Sequence, residues 1–249
     1  MIEVGDQGAV RLVTFDRPEV RNAFDHALYE AVTGALRDAA GDGSVRVVVL
    51  TGRPPAFTAG QDLKEMAALA AGTAPAGAEQ GFQGLLDSLV EFEKPLLAAV
   101  NGVGVGLGFT ILAHCDLVLV GRSARLRVPF AELGVPPEAA SSYLFPLRMG
   151  WQQAARVLLA SEWVSAEEAV EIGMALRVCD DETVVAETLA LGARLAGFPA
   201  GALAEIKALM KAPHRAGVDA ARQREEDGFS RLLGSVATRD ALDRFNSQS

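Results

Sequence analysis

The sequence is poor in the residue types that build many familiar sites. It has two cysteines and three histidines in 249 residues. Cys115 and Cys179 both sit in apolar segments, so buried free thiols are expected, with neither a disulfide framework nor a metal site. His26 and His114 have no triad spacing, and no nucleophile has support. On its apolar segment, His114 reads as a satisfied core residue. Basic residues are in deficit, 23 Lys and Arg against 32 Asp and Glu, for a net charge of −9 and a pI of about 4.9. No basic run stands out, which argues against a nucleic-acid surface. An anionic ligand would have to rely on local N–H groups and a few placed cations. No apolar run approaches about 18 residues, and the N-terminus lacks a charged-then-apolar signal pattern. No membrane partner is expected, and a soluble, reducing, cytoplasmic setting follows. Neither Gly-x-Gly-x-x-Gly at 102–108 nor a phosphate-loop Gly-Lys-Ser/Thr is present, so neither nucleotide fingerprint applies.

What the chain does have is apolar residues, half of the total, enough for one large domain or one domain with a small appendage. One stretch organises it. Asn101 to Asp116 carries glycines at 102, 104, 106 and 108, between the apolar runs Leu96–Val100 and Leu117–Val120. The pattern predicts buried strand, glycine turn, apolar helix, buried strand. Glycines let a backbone turn tightly and approach a ligand closely. Where such a turn opens a helix, the first N–H groups lack intrahelical partners and point outward. That is a place for a developing negative charge.

Taken in order, residues 2–15 read as a hairpin around Gly5-Asp6-Gln7-Gly8. Asp25 can cap a helix running to about Ala40. Val45–Thr51 is a short apolar strand of the kind covered on both faces. A second glycine turn follows at Ala59-Gly60-Gln61-Asp62 and also opens a helix. Residues 70–79, rich in Ala, Gly, Thr and Pro, predict a mobile loop. A helix then runs from about Gln80 to Glu93. Arg125–Val128 is a further candidate strand. After Pro136-Pro137, Glu138 is expected to begin a helix. From Trp151 onward the chain reads as helical, with a capping box at Ser165-Ala166-Glu167-Glu168 and one short strand near Leu176–Cys179. Alternating strands and helices imply right-handed βαβ units. If the two glycine turns are neighbours, their N–H groups converge as an oxyanion hole.

Phe57-Thr58-Ala59-Gly60-Gln61-Asp62-Leu63-Lys64-Glu65-Met66 resembles the first signature of the enoyl-CoA hydratase/isomerase (crotonase) superfamily. Ala99-Val100-Asn101-Gly102 through Leu107-Gly108, with Cys115-Asp116, resembles the second, and Arg17-Pro18 to Phe24 and Ser165–Val178 also match. The resemblance implies an α/β fold, a crotonase-like spiral of ββα units over residues 1–195. It implies a helical C-terminal trimerisation region over 196–249, and homotrimers or dimers of trimers. It implies an acyl-CoA thioester substrate and no separate cofactor, coenzyme A being part of that substrate. Carried over by position, the oxyanion amides are those of Gln61 and Leu107. Coenzyme A would lie along Arg21, Asn22, Ala23, Ala59, Asp62 and Leu63, with Lys64 near phosphate and Phe229 contacting it from the tail. Phe130 falls among the substrate-binding positions.

Hydratases of this family carry two glutamates, at positions occupied here by Thr110 and Phe130. Adding water across a double bond uses two placed carboxylates, and this chain lacks that pair. Leu133-Gly134-Val135-Pro136-Pro137-Glu138 through Pro146 instead resembles the Δ3,Δ2-enoyl-CoA isomerase branch, in which one glutamate is acid and base. That implies Glu138 as the catalytic group, and a shift of the double bond from C3 to C2 in fatty-acid metabolism. The alternatives are a hydratase using Glu138 and a non-catalytic acyl-CoA-binding protein. Asp62 and Glu132 are rival acids in helper roles.

Overall fold

The computed structural model describes residues 1–74 and 78–247. Of the expected loop at 70–79, residues 75–77 lie outside that set. Ten strands and eleven α-helices alternate along the described chain. The hairpin is β1 (Ile2–Gln7) and β2 (Val10–Phe15), followed by α1 (His26–Gly41). Asp25 caps α1 by accepting from the Leu28 amide at 2.8 Å. Next come β3 (Val47–Gly52), β4 (Ala56–Thr58), α2 (Leu63–Ala70) and α3 (Ala78–Glu91). The organising stretch yields β5 (Leu96–Val100), β6 (Val103–Val105) and α4 (Leu107–Thr110), then β7 (Leu117–Gly121). The apolar helix expected there is a single α turn followed by a 3-10 turn at Ile111–His114. It is short because the chain must return to the sheet at once: the Asp116 amide already donates to Leu96 O at 2.7 Å.

The chain continues as β8 (Arg125–Arg127), α5 (Phe130–Leu133), α6 (Ser141–Ala160), β9 (Val164–Ser165), α7 (Ala166–Glu171) and β10 (Arg177–Cys179). The capping box at Ser165 and Glu168 is present. Helices α8 (Val184–Ala196), α9 (Ala200–Lys211), α10 (Arg215–Leu232) and α11 (Val236–Ser247) finish it.

The large sheet has the order β1-β2-β3-β5-β7-β10, and the small one β4-β6-β8-β9. Strands β2, β3, β5, β7 and β10 run parallel. The pairs β3/β4, β5/β6 and β7/β8 each send their first strand to the large sheet and their second to the small one. This repeated step generates the spiral and brings the starts of α2 and α4 to one end of the sheets.

Alternation explains why the central strands are apolar on both faces for most of their length. Val48, Leu50, Leu96, Ala98 and Val100 face the main core with α1 and α3. Val47, Val49, Leu97 and Ala99 face the other side, under Val184, Leu189 and Leu191 of α8. A strand covered on both faces has few positions for a polar side chain; Thr51 of β3 takes one, its Oγ1 donating to Ala99 O at 2.9 Å. Both cysteines are buried free thiols. The last helices pack back on their own chain: α10 crosses α6, and α11 lies against α2 and α5, with Thr238 Oγ1 donating to Gly134 O at 2.9 Å. Among the described residues, no single helix is long and apolar enough to cross a membrane.

Candidate active site

The two glycine turns lie side by side because β4 and β6 are parallel neighbours, with Thr58 opposite Gly104. Gly60, at φ +83°, passes so close to the second turn that a Cβ there would lie 2.4 Å from Val105 O and 3.3 Å from the Leu107 nitrogen. Only glycine fits that approach. At the first turn, Phe24 makes both ladder bonds of a parallel bridge: its amide donates to Gly60 O at 2.7 Å and its carbonyl accepts from Asp62 N at 2.8 Å. In such a bridge the intervening residue points its own N–H to the opposite side, so the Gln61 amide faces away from Phe24. At the second turn, Gly106 at φ +54° precedes the helix, and its carbonyl accepts from Phe109 N and Thr110 N. Leu107 is the first helical residue, where the N–H has no intrahelical acceptor.

Glu138 reaches the same region from another element. The expected helix start at Glu138 is three residues late: α6 begins at Ser141. The reason is local backbone. Ala139 and Ala140 have φ of +58° and +56°, a left-handed pair that costs roughly 1–2 kcal/mol per residue for a side chain with a Cβ. Two groups hold the pair. His114 Nε2 lies 2.8 Å from Ala139 O. The Glu225 carboxylate, on α10, accepts from Ala140 N at 2.7 Å and from Ser142 N at 2.8 Å. The Glu138 carboxylate itself accepts a long contact of 3.5 Å from Thr110 Oγ1. Burial, then the nearby charge of Glu225, pushes the Glu138 carboxyl up to about 8, with Thr110 acting in the opposite sense. Burial likewise holds His114 down at about 4, so the imidazole is neutral and its Nε2–H donates to Ala139.

A cavity of about 970 Å³ opens in front of Glu138, lined by Gln61, Glu65, Tyr29, Arg222, Glu225 and Phe229 among others. Its volume suits a mid-sized organic ligand. Three of the residues singled out from sequence thus meet there: Gln61, Glu138 and Phe229. Leu107 and Phe130 are buried and lie outside the cavity lining.

The others also lie outside that lining. The Asn22 side chain is fully buried and bonded to main chain: Oδ1 accepts from Arg17 N, and Nδ2 donates to Arg53 O and Ala56 O. Ala23 is buried, whereas Arg21 and Lys64 are exposed; Ala59 and Leu63 are half-buried. Both rival acids are engaged elsewhere. Asp62 caps α2 through Lys64 N at 3.0 Å and sits 3.7 Å from Arg17. Glu132 pairs with Arg127.

Sequence reasoning missed Tyr29, Glu65, Arg222 and Glu225. Glu65 stands four residues after Gln61, one helical turn deeper. Glu225 stands four before Phe229 on the same face of α10. Those spacings were the available signals. Among the described residues, no group of three or more His, Cys, Asp or Glu could hold a metal ion.

The family model for enoyl-CoA hydratase/isomerase matches residues 5–248. The chain belongs to that family. It is similar to the 1,2-epoxyphenylacetyl-CoA isomerase of Escherichia coli K12, with 32% identity over 231 residues covering 92% of this chain and 88% of the relative. It is also similar to the 2,3-dehydroadipyl-CoA hydratase of the same organism, 31% identical over 97% of this chain and 94% of the relative. The crystal structure of an enoyl-CoA hydratase/isomerase from Pseudoalteromonas atlantica aligns with a TM-score of 0.94 at 33% identity, covering 99% and 97% of the two chains. The fold is therefore that of the crotonases. Enoyl-CoA hydratase/isomerases act on acyl-CoA thioesters. The relatives' names include both isomerases and hydratases, so membership defines the thioester chemistry and leaves the particular reaction to the site.

Proposed function

We propose that this enzyme moves the double bond of a 3-enoyl-CoA to the 2-position, with Glu138 as its single acid and base. The observation that carries the reading is that neither hydratase position supplies a second carboxylate to face Glu138. The positions where hydratases of the family carry glutamates hold Thr110 and Phe130, both buried; the rival acids Asp62 and Glu132 are engaged elsewhere, and Glu65 and Glu225, which share the cavity, accept from backbone amides.

The thioester carbonyl oxygen is received by the Gln61 and Leu107 amides. Glu138 takes a proton from C2, and the negative charge passes to that oxygen as an enolate. Two fixed N–H donors stabilise charge that grows only in the transition state. The C3–C4 electrons shift as Glu138 returns the proton at C4, giving 2-enoyl-CoA. A base near pKa 8 suits both halves, since it must accept a proton and release it again. Phe229 and the start of α2 border the thioester from the tail and the first turn. We further propose a homotrimer or dimer of trimers in the cytoplasm, acting in fatty-acid metabolism. The exposed Trp151, Leu159, Leu209 and Met210 support assembly.

The test is to incubate the purified protein separately with 3-enoyl-CoA and 2-enoyl-CoA thioesters and analyse products by mass and by ultraviolet absorbance of the conjugated thioester. Isomerised product from the 3-enoyl ester, without gain of water, is expected. Hydration of the 2-enoyl ester as the faster reaction would overturn the assignment in favour of a hydratase. Binding without turnover of either would leave a carrier.

A further inference from the structure

Glu225 has no place in the reaction just described, yet it is 7% exposed and grips the backbone next to the reacting acid. We propose that Glu225 is a positioning residue for Glu138: its two carboxylate oxygens hold the Ala140 and Ser142 amides, and so keep the left-handed turn that aims Glu138 into the cavity. This rests on the reading of Glu138 as the base.

Three observations converge on it. First, the turn is strained at two successive alanines, and such a conformation persists only where its surroundings over-determine it. Second, both carboxylate oxygens accept from the turn, at 2.7 and 2.8 Å; these amides favour the ionised carboxylate against the burial that raises it, and bonds to an ionised acceptor are the strong kind. Third, it arrives from α10, 83 to 85 residues further along the chain, so it ties the acid to the same helix that supplies Phe229. A plain helix cap would serve α6 equally well from a residue beside it in sequence.

The same carboxylate has an electrostatic effect on Glu138, which faces several ionisable groups. Tyr29 of α1, Glu65 of α2, and Arg222, Glu225 and Glu226 of α10 all line the cavity, as does Asp87 of α3, which is bonded to Arg222 at 2.6 Å. His114 stands behind Ala139 and is neutral. Of the charges, Glu225 is the one that raises the Glu138 carboxyl.

The test compares Glu225→Gln, Glu225→Asp and Glu225→Gln with Ala140→Gly, using trans-3-hexenoyl-CoA as probe. Glutamine keeps the volume but removes the charge and one acceptor. A fall of kcat by about tenfold or more is expected with little change in KM, and the acid limb of the kcat/KM profile should move down by about one pH unit. Glycine at 140 adopts the left-handed turn without strain, so the double variant should regain kcat and keep the shifted limb. Aspartate keeps the charge and should leave the limb in place.

If Glu225→Gln does not fold, the aspartate variant, alone and then combined with Ala140→Gly, decides. The first should lower kcat with an unmoved limb, and the second should make turnover insensitive to that substitution. Should Glu225→Gln or Glu225→Asp turn over as the wild type does, with the limb unmoved, the proposal is wrong. Glu138→Gln, run in parallel, separates the two readings. Full turnover in that variant would remove the base itself. If no thioester is turned over, the pH dependence of the stability difference between Glu138→Gln and its parent reports the Glu138 titration with and without Glu225, and an unchanged titration refutes the proposal.

Discussion

Replacing Glu138, the proposed acid and base, should make the protein more stable. An ordinary glutamate ionises near 4.5, whereas burial and the Glu225 charge hold Glu138 up near 8. The folded state therefore keeps a proton that the unfolded chain has already released, and stability falls as pH rises through the interval between the two values. At about 1.4 kcal/mol for each pH unit above 4.5, the penalty is about 3 kcal/mol at pH 7 and approaches 5 kcal/mol near pH 8. Glu138→Gln has the same shape and never ionises, so the penalty vanishes. The variant should be stabilised by about 3 kcal/mol at pH 7, a rise of roughly 6–12 °C in Tm for a chain of this size. At pH 5 the two proteins should agree within about 1 kcal/mol, because that pH lies only about half a unit above the value at which the unfolded glutamate ionises. Thermal melts or urea titrations at pH 5, 7 and 9, at one protomer concentration, measure this directly. Turnover should fall by at least a thousandfold at the same time. A Glu138→Gln variant that is no more stable than the wild type at pH 9, or equally stabilised at pH 5 and pH 9, would refute the claim that this carboxylate is ionised against its surroundings.

The same reasoning gives a rate prediction: kcat/KM should rise with pH along a limb centred near 8, because the base works only once deprotonated, and a limb near 4.5 in initial-rate profiles would contradict it. Gly60→Ala would place a Cβ 2.4 Å from Val105 O at a φ of +83°. It should lower stability by about 2–4 kcal/mol and abolish turnover, as seen by melting and by the hexenoyl-CoA assay; a folded, fully active variant would show that the two turns do not need this approach. Phe229→Ala removes an aromatic wall of the cavity and should raise KM about tenfold while kcat stays within about threefold, equivalent to about 1.4 kcal/mol of lost contact; a kcat effect without a KM effect would place Phe229 in the chemistry instead.

The two glycine turns were legible in the sequence because each follows a short apolar run and glycine has few other reasons to recur at such spacing. So were the hairpin, the Asp25 cap and the Ser165 capping box, which depend on near neighbours. What escaped was set at long range. Glu138 looks like a helix-start acid by every local rule: prolines precede it and a helix follows. The helix begins three residues later because Glu225 and His114 hold Ala139 and Ala140 left-handed. No local rule puts two alanines there. The short α4 escaped for a similar reason, since Asp116 must meet Leu96 and its neighbour Lys207 at 2.8 Å. The cavity wall contributed by α10 was invisible except at Phe229, because a charged, amphipathic helix reads the same whether it faces solvent, a partner or its own active site.

The distribution of chemistry over the fold follows from what each element can vary. The proposed oxyanion donors are main-chain groups set by the parallel pairing of β4 with β6 and by Gly60, so altering them means altering the sheet. The acid is one side chain on an irregular turn between α5 and α6, held by a helix from the far end of the chain. Thr110, opposite it, is fully buried and supplies only a long contact to Glu138. A carboxylate at 110 would face Glu138, whose proton affinity the Glu225 charge already raises, and a further like charge there would raise it more. With threonine and phenylalanine at the alternative acid positions, neither of them supplies Glu138 with a second acid. A single proton carrier close to neutral-pH balance suits proton return to the substrate better than activation of a water molecule.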